Sequence, residues 1–110
     1  MVIDHRTYTI AHGRTKEYLE LFEREALPVQ EKHLGKPIGY FESMIGGLNQ
    51  VVHLWGYQNL ADMENKRMAR DADPAWTAYK KKSAGMLITQ ENRILAPVSF
   101  STMEANIIAS

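Results

Sequence analysis

Apolar residues fall on both faces of the predicted strand Gln50-Val51-Val52-His53-Leu54-Trp55-Gly56-Tyr57, directly after the turn-rich Gly46-Gly47-Leu48-Asn49. Successive strand side chains point to opposite faces, so Val52 and Leu54 share one side, and Val51 and Trp55 the other. A strand apolar on both sides is normally covered on both. The histidine in mid-run also needs a partner, because burying a polar group without one is costly. Val2–Ile10 reads as an earlier strand, with Ile3, Thr7, Tyr8 and Thr9 as strand formers, and Gly13 breaks it. Thr15 is placed to cap a helix, with Glu17 in the first turn. Leu19, Phe22, Ala26, Val29 and His33 then recur at spacings of three and four as one helical stripe. Pro28 lacks an N–H and crowds the carbonyl four residues back, which predicts a kink or break. Gly35 and Pro37 mark the helix end.

Ile38–Ile45 reads as a second strand, residues 46–49 as a hairpin loop, and Gln50–Tyr57 as a third strand. Asn59 caps a second helix with Asp62 three residues on, over a thin stripe of Leu60, Met63 and Met68. Asp73-Pro74 is a helix restart, a cap followed by proline in the first turn. Trp76 and Tyr79 lie on the short helix that follows, which Gly85 ends. Leu87–Leu95 is the fourth strand; Pro97 closes it, and Val98–Phe100 reads as an edge continuation. The expected domain is 1–101, with 102–110 as a C-terminal tail or an arm onto a partner. The order β-α-β-β-α-β predicts an α+β, ferredoxin-like fold: a four-stranded antiparallel sheet with helices on one face.

The open face of such a sheet should be polar. Instead the third strand and Ile38-Gly39-Tyr40-Phe41 carry apolar or aromatic residues on both faces. A large exposed apolar face marks an interaction site, and a second copy related by a two-fold axis covers it economically. A sheet-to-sheet homodimer is therefore expected; the alternatives are an open monomer or a face covered by the tail.

With 110 residues, 13 basic and 13 acidic side chains, the chain is one domain without the basic stripe of a nucleic-acid binder. Lys80-Lys81-Lys82 reads as a solvated helix face. The absence of cysteine excludes disulfides, thiolate metal sites and cysteine nucleophiles. No apolar run approaches the roughly 20 residues of a membrane span, and Asp4, His5 and Arg6 do not suit a signal peptide. A cytoplasmic location is the resulting expectation.

Arg6-Thr7-Tyr8-Thr9, Gly39-Tyr40-Phe41, Ile45-Gly46, the run Leu48-Asn49-Gln50-Val51-Val52-His53-Leu54-Trp55 with Tyr57, Leu60-Ala61-Asp62, Asp73-Pro74-Ala75-Trp76 and Gln90-Glu91-Asn92 together span nearly the whole chain. In these segments it resembles the NIPSNAP family of the dimeric α/β-barrel superfamily, and the LNQVVHLW run is the specific one. The resemblance implies a two-fold dimer whose sheets face one another across a barrel-like cavity, in a family of unassigned activity. Related barrel families include cofactor-free monooxygenases, haem-binding and haem-degrading proteins, and lactone isomerases. The mitochondrial presequence of longer members is not seen here.

His53, Tyr8 and Arg6 are the candidate catalytic residues. His53 could accept a proton or ligate a haem iron, or be a structural histidine. Arg6 and Tyr8 share a strand face and could hold a carboxylate or phenolate; otherwise Arg6 would form a cross-strand ion pair with Glu91 or Glu42. Gln50, Trp55, Gln90 and Asn92 are candidate ligand-binding residues. His33, at the predicted helix end, is favoured there by the dipole. His5 and His12 show no ligand spacing, so no metal site and no cofactor are expected. Two functions stand: a dimeric protein holding a small apolar ligand or a protein partner, and a cofactor-free monooxygenase-like or isomerase-like enzyme. A haem binder using His53 or His33 is a third.

Overall fold

The strand β1 (Val2–Ile10) takes the inner position that its mixed composition allows. It pairs antiparallel with β3 (Gln50–Tyr57) on one side and β4 (Leu87–Leu95) on the other. In this computed structural model, which describes residues 1–103, the strand β2 (Gly39–Glu42) completes a four-stranded sheet of order β2-β3-β1-β4. All three pairings are antiparallel, as the ferredoxin-like order requires.

The register fixes the faces. Asp4 pairs with Trp55, Arg6 with His53 and Tyr8 with Val51, so these residues and Ile10 share the helix-covered side. Thr7 pairs with Val52 and Phe41 with Val52, so both lie on the open side with Leu54. The Phe41 ring folds over Gly39, where a Cβ would meet the ring tip at 2.8 Å and push it aside.

The first helical stretch is continuous in space but not in hydrogen bonding. Helix α1 (Thr15–Leu21) passes through a π-helical turn, Phe22–Ala26, into α2 (Leu27–Leu34). The wider turn precedes Pro28 and absorbs the mismatch its missing N–H creates; no sharp break is needed. The turn also rotates the buried stripe. Tyr18, Leu21, Phe22, Ala26, Val29, Gln30 and Leu34 face inward, whereas Leu19 is only half-buried and His33 is drawn to Asp73. The residue before the helix is Arg14, which makes no side-chain cap, rather than Thr15. Gly35 ends the helix with φ of 80°, a conformation glycine adopts without strain.

Two strand expectations contract. The second strand stops at Glu42, and Met44 and Ile45 are 95% exposed in the loop that follows. Val98–Phe100 is a turn rather than an edge strand. The tail beyond residue 103 lies outside the described residues. Helix α3 (Leu60–Asp71) is capped by Asn59, whose side chain accepts from the Asp62 N–H at 2.8 Å. Helix α4 (Pro74–Lys82) is capped by Asp73, which accepts from the Ala75 N–H at 2.9 Å. Lys80, Lys81 and Lys82 are exposed, as read from the sequence.

The main core joins Ile10, Tyr18, Leu21, Phe22, Ala26, Val51, Tyr79 and Met86 between sheet and helices; a second cluster packs Trp55 and Tyr57 against Leu34. The stripe expected on α3 is not what faces inward. Leu60 and Met68 are 56% and 62% exposed, and Arg70 is the buried residue of that helix. Polar chemistry therefore replaces apolar packing under α3.

Candidate ligand-binding site

The residues that share the helix side of β1 are Asp4, Arg6 and Tyr8, and they build a network rather than a core. Asp4 is fully buried. Arg6 donates from Nη1 to Asp4 Oδ2 at 2.9 Å and from Nε to the Tyr8 hydroxyl oxygen at 3.0 Å. Asn92 on β4 donates to the other Asp4 oxygen at 3.3 Å, and Arg67 of α3 approaches Asp4 to 3.7 Å. The partner of Arg6 is thus Asp4, two residues away on its own strand. Glu91 is excluded by register, since it pairs with Thr7 on the open face. Burial pulls the Arg6 guanidinium down, but Tyr8 and Asp4 outweigh it and hold it above its ordinary value. Arg67 goes the other way: burial, then the neighbouring charges of Arg6 and Arg70, lower it.

A cavity of about 780 Å³ opens beside this network, between the β1–β4 half of the sheet and helices α3 and α4. Arg6 and Tyr8 form its floor with Gln90 of β4; Arg67, Arg70 and Trp76 form the helical wall. Its size falls in the range of small-molecule sites. The Arg70 guanidinium lies 4.4 Å over the Trp76 ring and bonds Asp71 at 2.8 Å. Gln30 is buried and also lines the cavity, and its amide oxygen has no hydrogen-bond partner among the described residues. The Tyr57 hydroxyl is likewise unpartnered among them; burial first, then Asp4, push it up to about 12 against the opposing pull of Arg67, Arg70 and Arg6.

His53 lies next to the network but not in the open cavity. It is 3% exposed, with the rings of Tyr40, Phe22 and Tyr8 at 4.5, 4.9 and 5.0 Å. Burial, then Arg6, lower it to about 3, so it is a neutral imidazole and a poor proton acceptor near neutrality. It lines instead a smaller cavity of about 370 Å³ bordered by Phe22, Tyr40 and Phe41. Among the other candidates, Gln90 and Asn92 do share the cavity side of β4. Trp55 is sealed in the second core cluster, and Gln50 lies on the open face, donating to Thr9 Oγ1 at 3.3 Å. The shared chamber expected between two sheets is therefore not where Arg6, Tyr8 and His53 sit: the register turns all three toward the helices of the same chain. His33 Nε2 stands 2.8 Å from Asp73 Oδ2, tying α2 to the cap of α4. Among the described residues no group of three or more His, Asp or Glu could hold a metal ion, and no helix is long and apolar enough to cross a membrane.

The NIPSNAP family matches the sequence over residues 3–102. The chain belongs to this family. Human NipSnap homolog 3A is 32% identical over 103 residues, which cover 92% of this chain and 41% of the human protein. The chain spans 19–41% of the length of the curated NipSnap relatives it matches. Solved NIPSNAP structures superpose over nearly its full length. A family member from Agrobacterium tumefaciens is 38% identical with a TM-score of 0.90, covering 94% of this chain and 98% of that one. A NIPSNAP-like domain protein from Burkholderia xenovorans is 42% identical with a TM-score of 0.86, covering 91% and 87%. A Nitrosomonas europaea protein provisionally described as an antibiotic biosynthesis monooxygenase has a TM-score of 0.64 at 9% identity, over 89% of this chain and 99% of that one. That likeness shows the fold alone.

Sequence reasoning missed Asp4, Arg67 and Arg70 in this NIPSNAP chain. The signal for Asp4 was available, because Asp4, Arg6 and Tyr8 recur at every second position of one strand. For α3 the signal was the weakness of the apolar stripe: Met63, Arg67 and Arg70 recur at four and three, the spacing of one helical face, with two cations where a core helix carries aliphatics.

Proposed function

We propose that this NIPSNAP protein is a homodimer joined through its open sheet faces, and that each subunit binds one small organic molecule in the cavity between its sheet and helices α3 and α4. The observation that carries the binding reading is the cavity itself: it is large enough for a ligand, has aromatic and guanidinium walls, and contains a buried amide oxygen with no partner among the described residues. The dimer reading rests on the opposite face, where Val52 and Leu54 are only half-buried and Phe41 and Leu95 are 54% and 41% exposed. Burying such a face is favourable by roughly 25 cal/mol per Å² of apolar area.

One geometric feature supports a second reading, a cofactor-free small-molecule enzyme. Tyr8 accepts from Arg6 Nε, which leaves the phenol's own proton to be donated to a ligand in the cavity. Tyr8 and Arg6, not His53, are then the pair at the reacting atoms.

The test has two parts. Sedimentation velocity of the full chain at micromolar concentration should give a dimer, and a monomer would overturn the first half. Calorimetric titration with a panel of neutral and charged bicyclic aromatics should find saturable binding at one site per subunit. Gln90→Trp, which fills the cavity from an exposed strand position, should abolish it; undiminished binding would overturn the second half. Turnover of a bound compound that disappears in Tyr8→Phe while binding persists would favour the enzyme.

A further inference from the structure

The proposed cavity carries more positive charge than its carboxylates can neutralise. Arg6, Arg67, Arg70, Lys80 and Lys81 border it, with Asp71 at the edge and Asp4 behind Arg6. Asp4 is shared by Arg6 at 2.9 Å and Arg67 at 3.7 Å, so one buried carboxylate serves two guanidiniums. The partner of Arg70, Asp71, has a side chain 59% exposed to solvent, where ion pairs are weak. The Arg67 and Arg70 side chains are only 26% and 7% exposed, and water cannot fully screen their repulsion. The lowering of Arg67 by Arg6 and Arg70 has this same cause. Beside the charges stand the rings of Tyr8, Trp76 and Tyr79, and one guanidinium is already stacked on an indole at 4.4 Å. Guanidinium forks match carboxylates in shape, and flat rings pack well against aromatic walls.

Resting on the cavity as the binding site, we propose that its ligand is an aromatic carboxylate, bound with its carboxylate among Arg6, Arg67 and Arg70 and its ring system against Trp76 and Tyr79. The buried Gln30 amide oxygen then accepts from a hydroxyl or amine on the ring. This selects against neutral aromatics, which leave the guanidiniums uncompensated, and against aliphatic acids, which leave the aromatic wall without a partner.

The probes are 2-naphthoate, its uncharged amide 2-naphthamide, and cyclohexanecarboxylate, titrated calorimetrically into the full chain at 50 mM and 500 mM NaCl. Naphthoate should bind at least about tenfold tighter than either control, as expected for a charge-assisted hydrogen bond, and weaken in high salt. Arg67→Gln and Arg70→Gln should each lose about tenfold or more for naphthoate and little for the amide. Arg67→Lys, which keeps the charge and loses the fork, should fall between. Circular dichroism of each variant establishes that it folds. If amide and naphthoate bind equally and both are blocked by Gln90→Trp, the anion inference fails while the cavity stands. If cyclohexanecarboxylate matches naphthoate, the aromatic half fails. If none of the three binds, the inference is overturned, and if the wider aromatic panel also fails, the cavity reading goes with it.

Discussion

His53 offers the sharpest quantitative test of the site's electrostatics. Its ring is enclosed by Phe22, Tyr40 and Tyr8 and faces Arg6, and its protonation is lowered from 6.5 to about 3. The folded value is depressed, so between these two limits the unfolded chain binds a proton that the folded chain refuses. Stability therefore falls as pH drops through that window and is fully present above it. Each pH unit below 6.5 costs about 1.4 kcal/mol, so at pH 5 the wild-type chain has lost about 2 kcal/mol through this one group. Urea unfolding at pH 7.5 and pH 5, in wild type and His53→Gln, isolates the contribution, because the other titrating groups are common to both. The wild type should lose about 2 kcal/mol more than the variant over that interval. His53→Phe, a ring that cannot titrate, serves if the glutamine amide disturbs the aromatic box. Equal losses in wild type and both variants would show that His53 titrates like a solvated histidine, and the enclosure argued for it would be wrong.

Other expectations follow from single contacts. Asp4→Asn leaves the Arg6 and Arg67 guanidiniums uncompensated and should cost about 3 kcal/mol in urea unfolding; a neutral result would mean Asp4 is not the anchor of the network. Asn59→Ala removes the acceptor for the Asp62 N–H and should cost about 1 kcal/mol in the same assay. Leu54→Arg places a charge on the open face and should shift the sedimentation profile from the proposed dimer to monomer while the far-ultraviolet dichroism is unchanged. Trp55→Ala empties a fully buried site and should cost about 3–5 kcal/mol, read as a fall in the urea midpoint.

The fold was legible in the sequence because its elements are announced locally. The two-sided apolar run 50–57, the Asn59 and Asp73 caps, Gly35 and the Leu87–Leu95 run each act within a few residues, and each appears where the spacing places it. The errors have local causes too. Ile45 and Met44 look like strand residues, but only Gly39–Glu42 finds partners on β3, and apolar character without a paired backbone does not make a strand. Pro28 signals a discontinuity, yet a π turn just upstream satisfies it without a break. A proline specifies which hydrogen bond is lost, not how neighbouring turns absorb the loss.

The site was less legible, and the reason is register. Parity along one strand shows that Arg6 and Tyr8 share a face and that His53 opposes Val52, but it does not say which face the helices cover. That choice belongs to the packing of Phe22, Ala26 and Val51 across elements far apart in sequence. Placing His53, Arg6 and Tyr8 between subunits rather than beneath the helices follows from choosing the wrong side of a correctly drawn sheet. Once the side is known, the charged positions on α3 gain meaning. Arg67 and Arg70 cannot be core residues in the ordinary sense, because burying a cation is costly unless it is paired. They are retained under the helix because Asp4, Asp71 and the Trp76 ring meet them there, and that compensation is incomplete on the cavity side. A sheet-and-helix sandwich of this size could have filled the space with leucine. Filling it with three guanidiniums forgoes that packing, and on the proposed reading an anionic ligand completes the compensation that Asp4 and Asp71 leave unfinished.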